Sequence, residues 1–156
     1  MLCPCQSGLD LALCCTPLLA KHSVATTPAQ LMRSRFTAFY LHRWDYVLAT
    51  WHPDFRPRCS EAELEAESQQ SQWLNLELLA TPAAADNSGE VEFRAWYRDE
   101  TGLHAHHERS EFVRIEGLWY YTRGQFLAER TKLKANTPCP CLSGKKYKQC
   151  CGRGLR

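Results

Sequence analysis

The sequence predicts an α+β protein: a layer of helices followed by a curved, antiparallel four-strand meander, with a small cysteine-rich unit at each end. Three observations carry this expectation. Apolar residues recur at helical spacing early and at period two later, turn residues separate the period-two runs, and eight of nine cysteines fall in two short windows at the ends. A length of 156 residues suits one compact domain with appendages, and 44% hydrophobic with 23% charged residues excludes disordered and fibrous classes.

The helices come first. Thr27, Pro28 and Gln30 read as N-cap, first-turn proline and capping-box acceptor, and Leu31, Met32, Phe36 and Phe39 follow at helical spacing, which predicts a helix over about 28–42. Asp45 to Trp51 reads as a second, short helix closed by His52-Pro53, because the residue before proline avoids helical backbone. Ser60 and Glu63 open a third helix with an acidic first turn. Residues 73–80, 90–98, 103–115 and 118–122 then read as strands; in the second, Val91, Phe93, Ala95 and Tyr97 alternate with charged neighbours. Asn87-Ser88-Gly89, Thr101-Gly102 and Gly117 mark the turns between them.

The cysteines form a repeat. Cys3, Cys5, Cys14 and Cys15 have the same spacing, CxCx8CC, as Cys139, Cys141, Cys150 and Cys151. Pro4, Ser7 and Gly8 recur as Pro140, Ser143 and Gly144, so seven positions of each window agree. A tetrahedral zinc site needs four soft donors at about 2.3 Å, which a one-residue-split thiolate pair and an adjacent CC pair can supply. Neighbouring residues on a regular helix point about 100° apart, so the CC pair shares a metal only where the chain turns, and Gly152 is placed for that turn. Ser143 and Gly144 can turn backbone amides toward the sulfurs. Two zinc ions per chain are expected, with disulfides, free thiols or iron as alternatives.

Asn136 to Arg153 resembles the SEC-C zinc motif of the SecA translocation motor's tail, with Cys151 at a position where that tail can carry His. It departs at Leu142, and at Gln6 in the first copy, where the motif favours Gly; a positive φ there would be strained. The resemblance implies docking on an export chaperone or on ribosomes. The stretch between the ligands differs between copies: Lys145, Lys146 and Lys148 around Tyr147 in the second, and Leu9, Asp10, Leu11, Ala12 and Leu13 in the first. The first copy is therefore expected to pack its leucines on the central domain, and the second to face a partner through Lys145, Lys146, Tyr147 and Lys148.

The central residues resemble the YchJ family in Leu31 to Arg35, Ala38-Phe39, Trp51-His52-Pro53, Glu108-Arg109-Ser110 with Phe112, and Trp119 with Tyr121. Arg123 stands before Gly124 where that family tends to carry Asp. The resemblance implies an NTF2-like middle domain flanked by SEC-C motifs, with boundaries at 1–22, 26–134 and 135–156. A cone between helices and sheet would hold a pocket, for which Arg33, Arg35, His52, Glu108, Ser110, Trp119 and Tyr121 are the candidate residues. A small-molecule-binding or enzymatic pocket is thus the alternative function. The favoured reading of Glu108 with Arg is a satisfied ion pair, of His104 and His106 exposed side chains, and of Cys59 a free thiol.

Charge is partitioned. The formal net charge is only +2, but residues 29–129 carry −6 and residues 130–156 carry +8. The overall +2 argues against a general polyanion binder; the basic tail is read as an interaction element with a merely solvated tail as the alternative, and the resemblance to the SecA tail implies an acidic protein surface as its target. Nucleic acid ranks below a protein partner, because Tyr147 is the only aromatic in the basic knuckle. The longest apolar run, Leu11 to Ala20, is broken by Thr16 and Pro17 and is too short to span a membrane. Residues 1–10 hold Asp10 and no Lys or Arg, unlike a signal peptide, and clustered cysteines suit metal binding in a reducing compartment. A cytoplasmic location is expected.

Overall fold

In a computed structural model that describes residues 1–21, 23–128 and 133–153, four helices precede a four-strand sheet. They are α1 (Thr16–Leu19), α2 (Pro28–Tyr40), α3 (Trp44–Ala49) and α4 (Glu61–Ser68), followed by β1 (Gln72–Ala80), β2 (Ser88–Asp99), β3 (Gly102–Ile115) and β4 (Leu118–Phe126). The sheet is an antiparallel meander in the order β1-β2-β3-β4. His22, the end of the expected first unit, and Arg130, Lys132 and Arg156 of the basic tail lie outside the described residues.

Caps set the helix starts. Thr27 Oγ1 accepts from the Gln30 amide at 3.1 Å, while Gln30 Oε1 reaches past the expected partner to accept from Thr26 N at 2.7 Å. Ser60 and Glu63 form the full reciprocal capping box. α2 stops at Tyr40, before His42 turns with φ 57°. β4 runs four residues beyond its expected end because Thr122 is a bulge: Glu111 pairs with Arg123 but Phe112 pairs with Tyr121, and Thr122 Oγ1 donates to Glu111 O at 2.9 Å. An extra residue breaks period two there, so a strand read by alternation ends too early.

The core lies between α2, α3 and the inner face of the sheet. Leu31, Met32, Phe36 and Ala38 of α2 meet Val47 and Trp44 of α3 and Leu76, Val91, Phe93, Ala95, Phe112 and Trp119 of the sheet. Burying each of the larger side chains contributes about 1.5–3 kcal/mol. Leu18 and Leu19, directly after the first cysteine cluster, belong to this same core. Ser34 is buried on α2, where its hydroxyl donates to Leu31 O at 2.9 Å and lies 2.8 Å from Tyr46 Oη, so that no polar atom is left bare.

Candidate metal centres

The two cysteine windows fold alike. In the first, Cys3 N donates to Leu9 O at 2.9 Å and Cys14 N to Leu11 O at 3.2 Å; in the second, Cys139 N donates to Lys145 O at 2.8 Å and Cys150 N to Tyr147 O at 3.0 Å. A short 3-10 turn, Leu11–Leu13 or Tyr147–Gln149, delivers each CC pair. Gly8 and Gly144 take φ 84° and 82°. Gln6 and Leu142 also take positive φ, 64° and 67°, so both copies accept the strained turn at the position where Gly would be free of it. Gly152 works differently from expectation, by permitting close approach. A Cβ there would lie 2.6 Å from the Tyr147 ring and 2.8 Å from Tyr147 O.

Each fold gathers four sulfurs within 4.8 Å of one another: Cys3, Cys5, Cys14 and Cys15, and Cys139, Cys141, Cys150 and Cys151. Tetrahedral ligands at about 2.3 Å stand about 3.8 Å apart. The Cys5–Cys14, Cys14–Cys15 and Cys141–Cys150 sulfur separations of 3.6, 3.9 and 3.4 Å bracket that value. Ser7 and Ser143 place their hydroxyls 3.2 Å from Cys14 and Cys150. The hydrogen bond from Cys15, joined by Ser7 and Cys3 against the cost of burial, pushes the Cys5 thiol down to about 4. At the matching Cys141, burial is outweighed by hydrogen bonds from Ser143, Cys150 and Cys139, and the thiol is lowered to about 6. The donor sets therefore fit a thiophilic metal such as zinc.

Their surroundings differ. In the N-terminal knuckle Cys3, Cys5 and Cys15 are 3, 0 and 1% exposed. Thr37, buried on α2, donates to Cys15 Sγ at 3.3 Å and sits 3.6 Å from Cys3 Sγ. Arg33, one turn earlier on α2, donates to the Cys5 carbonyl. The expected leucine packing is corrected here: Leu9 and Leu13 are exposed, and the contact to the core comes from Leu18 and Leu19 beyond the ligands. α1 starts at Thr16 right after the CC pair with Pro17 in its first turn, and its Leu18 and Leu19 are buried. In the C-terminal knuckle only Cys139 of the four is buried, and Lys145, Lys146 and Lys148 are exposed with Tyr147 half-buried. Arg98, from the outer face of β2, donates to Cys151 Sγ at 2.9 Å.

The pocket candidates do not all meet. Glu108, Ser110 and Tyr121 come together on the inner face: Glu108 Oε1 accepts from Ser110 Oγ at 2.9 Å and from Tyr121 Oη at 2.6 Å. His106, expected to be exposed, is half-buried with Nε2 2.6 Å from Glu108 Oε2, and the Phe126 ring packs edge-on against it at 4.8 Å. Burial raises the Glu108 carboxyl, but the bonds from His106, Tyr121 and Ser110 outweigh it and hold the group below its ordinary range. Gly124 makes the room, because a Cβ there would lie 1.7 Å from Glu108 Oε1. Arg35 is buried with its guanidinium 4.7 Å over the Tyr121 ring, and it donates to Val47 O at 2.8 Å and Thr50 Oγ1 at 2.7 Å. Desolvation lowers its pKa to about 10. The expected Glu–Arg pair thus runs through a phenol that touches both.

Arg33 and His52 do not join this group. Arg33 is committed to the N-terminal knuckle, and the His52 ring turns toward Phe55 and Tyr120, on the side of β4 away from Tyr121. Trp119 shares the Tyr121 face but donates to Thr26 O at 3.3 Å and lines a separate apolar cleft of about 160 Å³ with Leu18, Val24, Leu31 and Tyr46. His104 is engaged by Asp99 and Thr101 in the β2–β3 turn. Cys59 is a free, half-buried thiol. Sequence reasoning missed Thr37, Arg98 and the placement of His106; the signals were the four-residue step from Arg33 to Thr37 and the period-two step from His106 to Glu108.

An NTF2-like α+β domain bearing a four-cysteine knuckle at each end is the class of protein that this geometry defines. Residues 27–124 match the family model for the YchJ middle NTF2-like domain, and residues 136–153 match the SEC-C motif. The chain is 47% identical to a UPF0225 protein of Pectobacterium carotovorum subsp. carotovorum, over 97% of each chain. It is 44% identical to a UPF0225 protein of Geobacter sulfurreducens, over 97% of this chain and 98% of that one. A solution structure of a SEC-C motif containing protein from Rhodopseudomonas palustris superposes with a TM-score of 0.75 at 36% identity, covering 82% of this chain and all of that one. A crystal structure of such a protein from Psychrobacter arcticus gives 0.69 at 30% identity, over 98% and 96% of the two chains. The chain belongs to the YchJ family, whose relatives here carry the name UPF0225. Among the described residues no helix is long and apolar enough to cross a membrane.

Proposed function

We propose that this protein binds one zinc ion in each knuckle and acts in the cytoplasm as an adaptor. The N-terminal knuckle holds the fold, and the C-terminal one docks on an acidic protein surface of an export chaperone or ribosome-associated partner. One contrast carries this reading: three of the four ligands are buried beside α2 at one end, and at the other only one is, with Lys145, Lys146 and Lys148 exposed beside the set. The SEC-C match over residues 136–153 supports the kind of partner. A zinc bound by four thiolates carries a formal −2, which these lysines offset while leaving cationic side chains on the surface. The Glu108 cluster supports no competing reaction in this reading; its carboxylate is engaged by three donors and ties β3 to β4 inside the core.

The test is affinity capture from a bacterial lysate at two salt concentrations, comparing the wild type with Cys150→Ser and with a variant carrying Lys145→Glu, Lys146→Glu and Lys148→Glu. The wild type is expected to retain an acidic export or ribosome-associated protein, and both variants to lose it. Capture that survives both changes would contradict the docking role. A steep logarithmic loss with salt, together with recovered nucleic acid, would place the partner among phosphate polymers instead.

A further inference from the structure

Both knuckles are gripped by an arginine of the central domain, but at different atoms. Arg33 holds a carbonyl, that of Cys5, and leaves the sulfurs of its knuckle to neutral hydroxyls, those of Thr37 and Ser7. Arg98 instead places a cation directly on a ligand atom, Cys151 Sγ, at 2.9 Å across 53 residues of sequence. It is a surface residue of β2 on the face opposite the core, where Arg94 pairs with Glu77 at 2.8 Å and Trp96 lies two positions before Arg98. The guanidinium is weakly hydrated and planar, so it gives up little on leaving water for a soft sulfur anion.

The position of Cys151 makes that contact consequential. Metal leaves a thiolate site when an incoming ligand displaces one sulfur, and the ligand that swings away most easily is displaced first. Cys151 is half-exposed and is the last of the four ligands in the chain, whereas Cys139 is buried. We propose that Arg98 is a positioning residue of the C-terminal metal centre: it pins Cys151 to the outer face of the sheet, slows loss of that metal, and holds the knuckle in one pose on the domain while metal is bound. The N-terminal centre needs no such cation, because burial already shields three of its four ligands. This goes beyond the docking role and stands without it, since no partner enters the argument or its test.

The experiment uses the full chain loaded with two zinc ions and challenged with excess chelator, with the number of zinc ions retained counted by native mass spectrometry over time. The wild type is expected to lose one ion quickly and one slowly, and Cys150→Ser to retain only the slow ion. Arg98→Ala is expected to speed the fast loss about tenfold, the low end for removal of a group that orients a metal ligand, and to leave the slow loss alone. Arg98→Lys, which keeps the charge but not the planar fork, should recover part of the delay. The proposal is overturned if Arg98→Ala leaves the fast phase unchanged, if it speeds both phases alike, if it speeds zinc loss in the Cys150→Ser background, or if the chain takes up no zinc. Because Arg98 is exposed, thermal unfolding followed by circular dichroism should match the wild type.

Discussion

One cysteine pattern is used twice in this molecule, and the two uses differ in what surrounds the sulfurs rather than in the sulfurs. At the N-terminal end α2 supplies Thr37 and Arg33 to the knuckle, and Leu18 and Leu19 carry the chain into the core. At the C-terminal end an arginine on the far face of the sheet reaches a ligand sulfur, and the lysines are exposed. Ligand spacing fixes which metal chemistry a knuckle can do, while the proposed division between folding and recognition rests on the seat that each knuckle takes.

Among changes outside the ligands, the largest effect is expected in the sheet that packs under α2, the helix that seats the N-terminal knuckle. Gly124→Ala drives a methyl group into the Glu108 carboxylate and should cost about 2–3 kcal/mol in urea unfolding. Most of that cost should vanish when Glu108→Ala is combined with it, since the clash then has no second partner. The same carboxylate sets a pH dependence. Its folded pKa lies below the unfolded value of about 4.3, so its contribution is complete above that pH and fades as pH falls through the lower folded value. Relative to the wild type, Glu108→Gln should therefore show a shallower loss of stability in acid.

The glycine that separates the two knuckles comes next. Gly152→Ala meets the Tyr147 ring and carbonyl and should weaken the C-terminal zinc about tenfold in chelator competition, with the unfolding midpoint of the central domain unchanged. Its counterpart in the first copy, Thr16, is exposed, and Thr16→Ala should do neither. Thr37→Val removes the hydroxyl from between Cys15 and Cys3 and should cost about 1 kcal/mol, read in urea, while slowing nothing at the other knuckle. The smallest effect is expected of Leu13→Ser. That side chain is 80% exposed, so the change should stay within about 0.5 kcal/mol, and a larger loss would restore the leucine packing that the structure displaces to Leu18 and Leu19.

What was legible in the sequence is what is local. The cysteine repeat needs thirteen consecutive residues to be seen, and Thr27, Pro28, Ser60 and Glu63 announce helix starts within one turn. The three donors that distinguish the knuckles act across 28, 22 and 53 residues for Arg33, Thr37 and Arg98, and no spacing rule links them to their cysteines. Arg33 was misplaced for that reason: as a helix residue near aromatic strands it suits a pocket as well as a knuckle. His52 was misplaced because the chain after α3 pairs with β4 through backbone, His52 N to Tyr121 O at 2.8 Å, which turns the ring away from Glu108. The Thr122 bulge hid the end of β4 in the same way, since it alters the count of residues without altering their character.

The division of labour between the knuckles is tested most directly by urea unfolding of the central domain, followed by tryptophan fluorescence, in Cys15→Ser and Cys151→Ser side by side. Loss of the buried ligand should lower stability by about 4 kcal/mol, because a structural metal's binding energy becomes folding energy. Loss of the half-exposed ligand should change it by less than about 1 kcal/mol, although that variant is expected to bind one zinc fewer. Equal losses, or a larger one for Cys151→Ser, would contradict the assignment of folding to one end and recognition to the other.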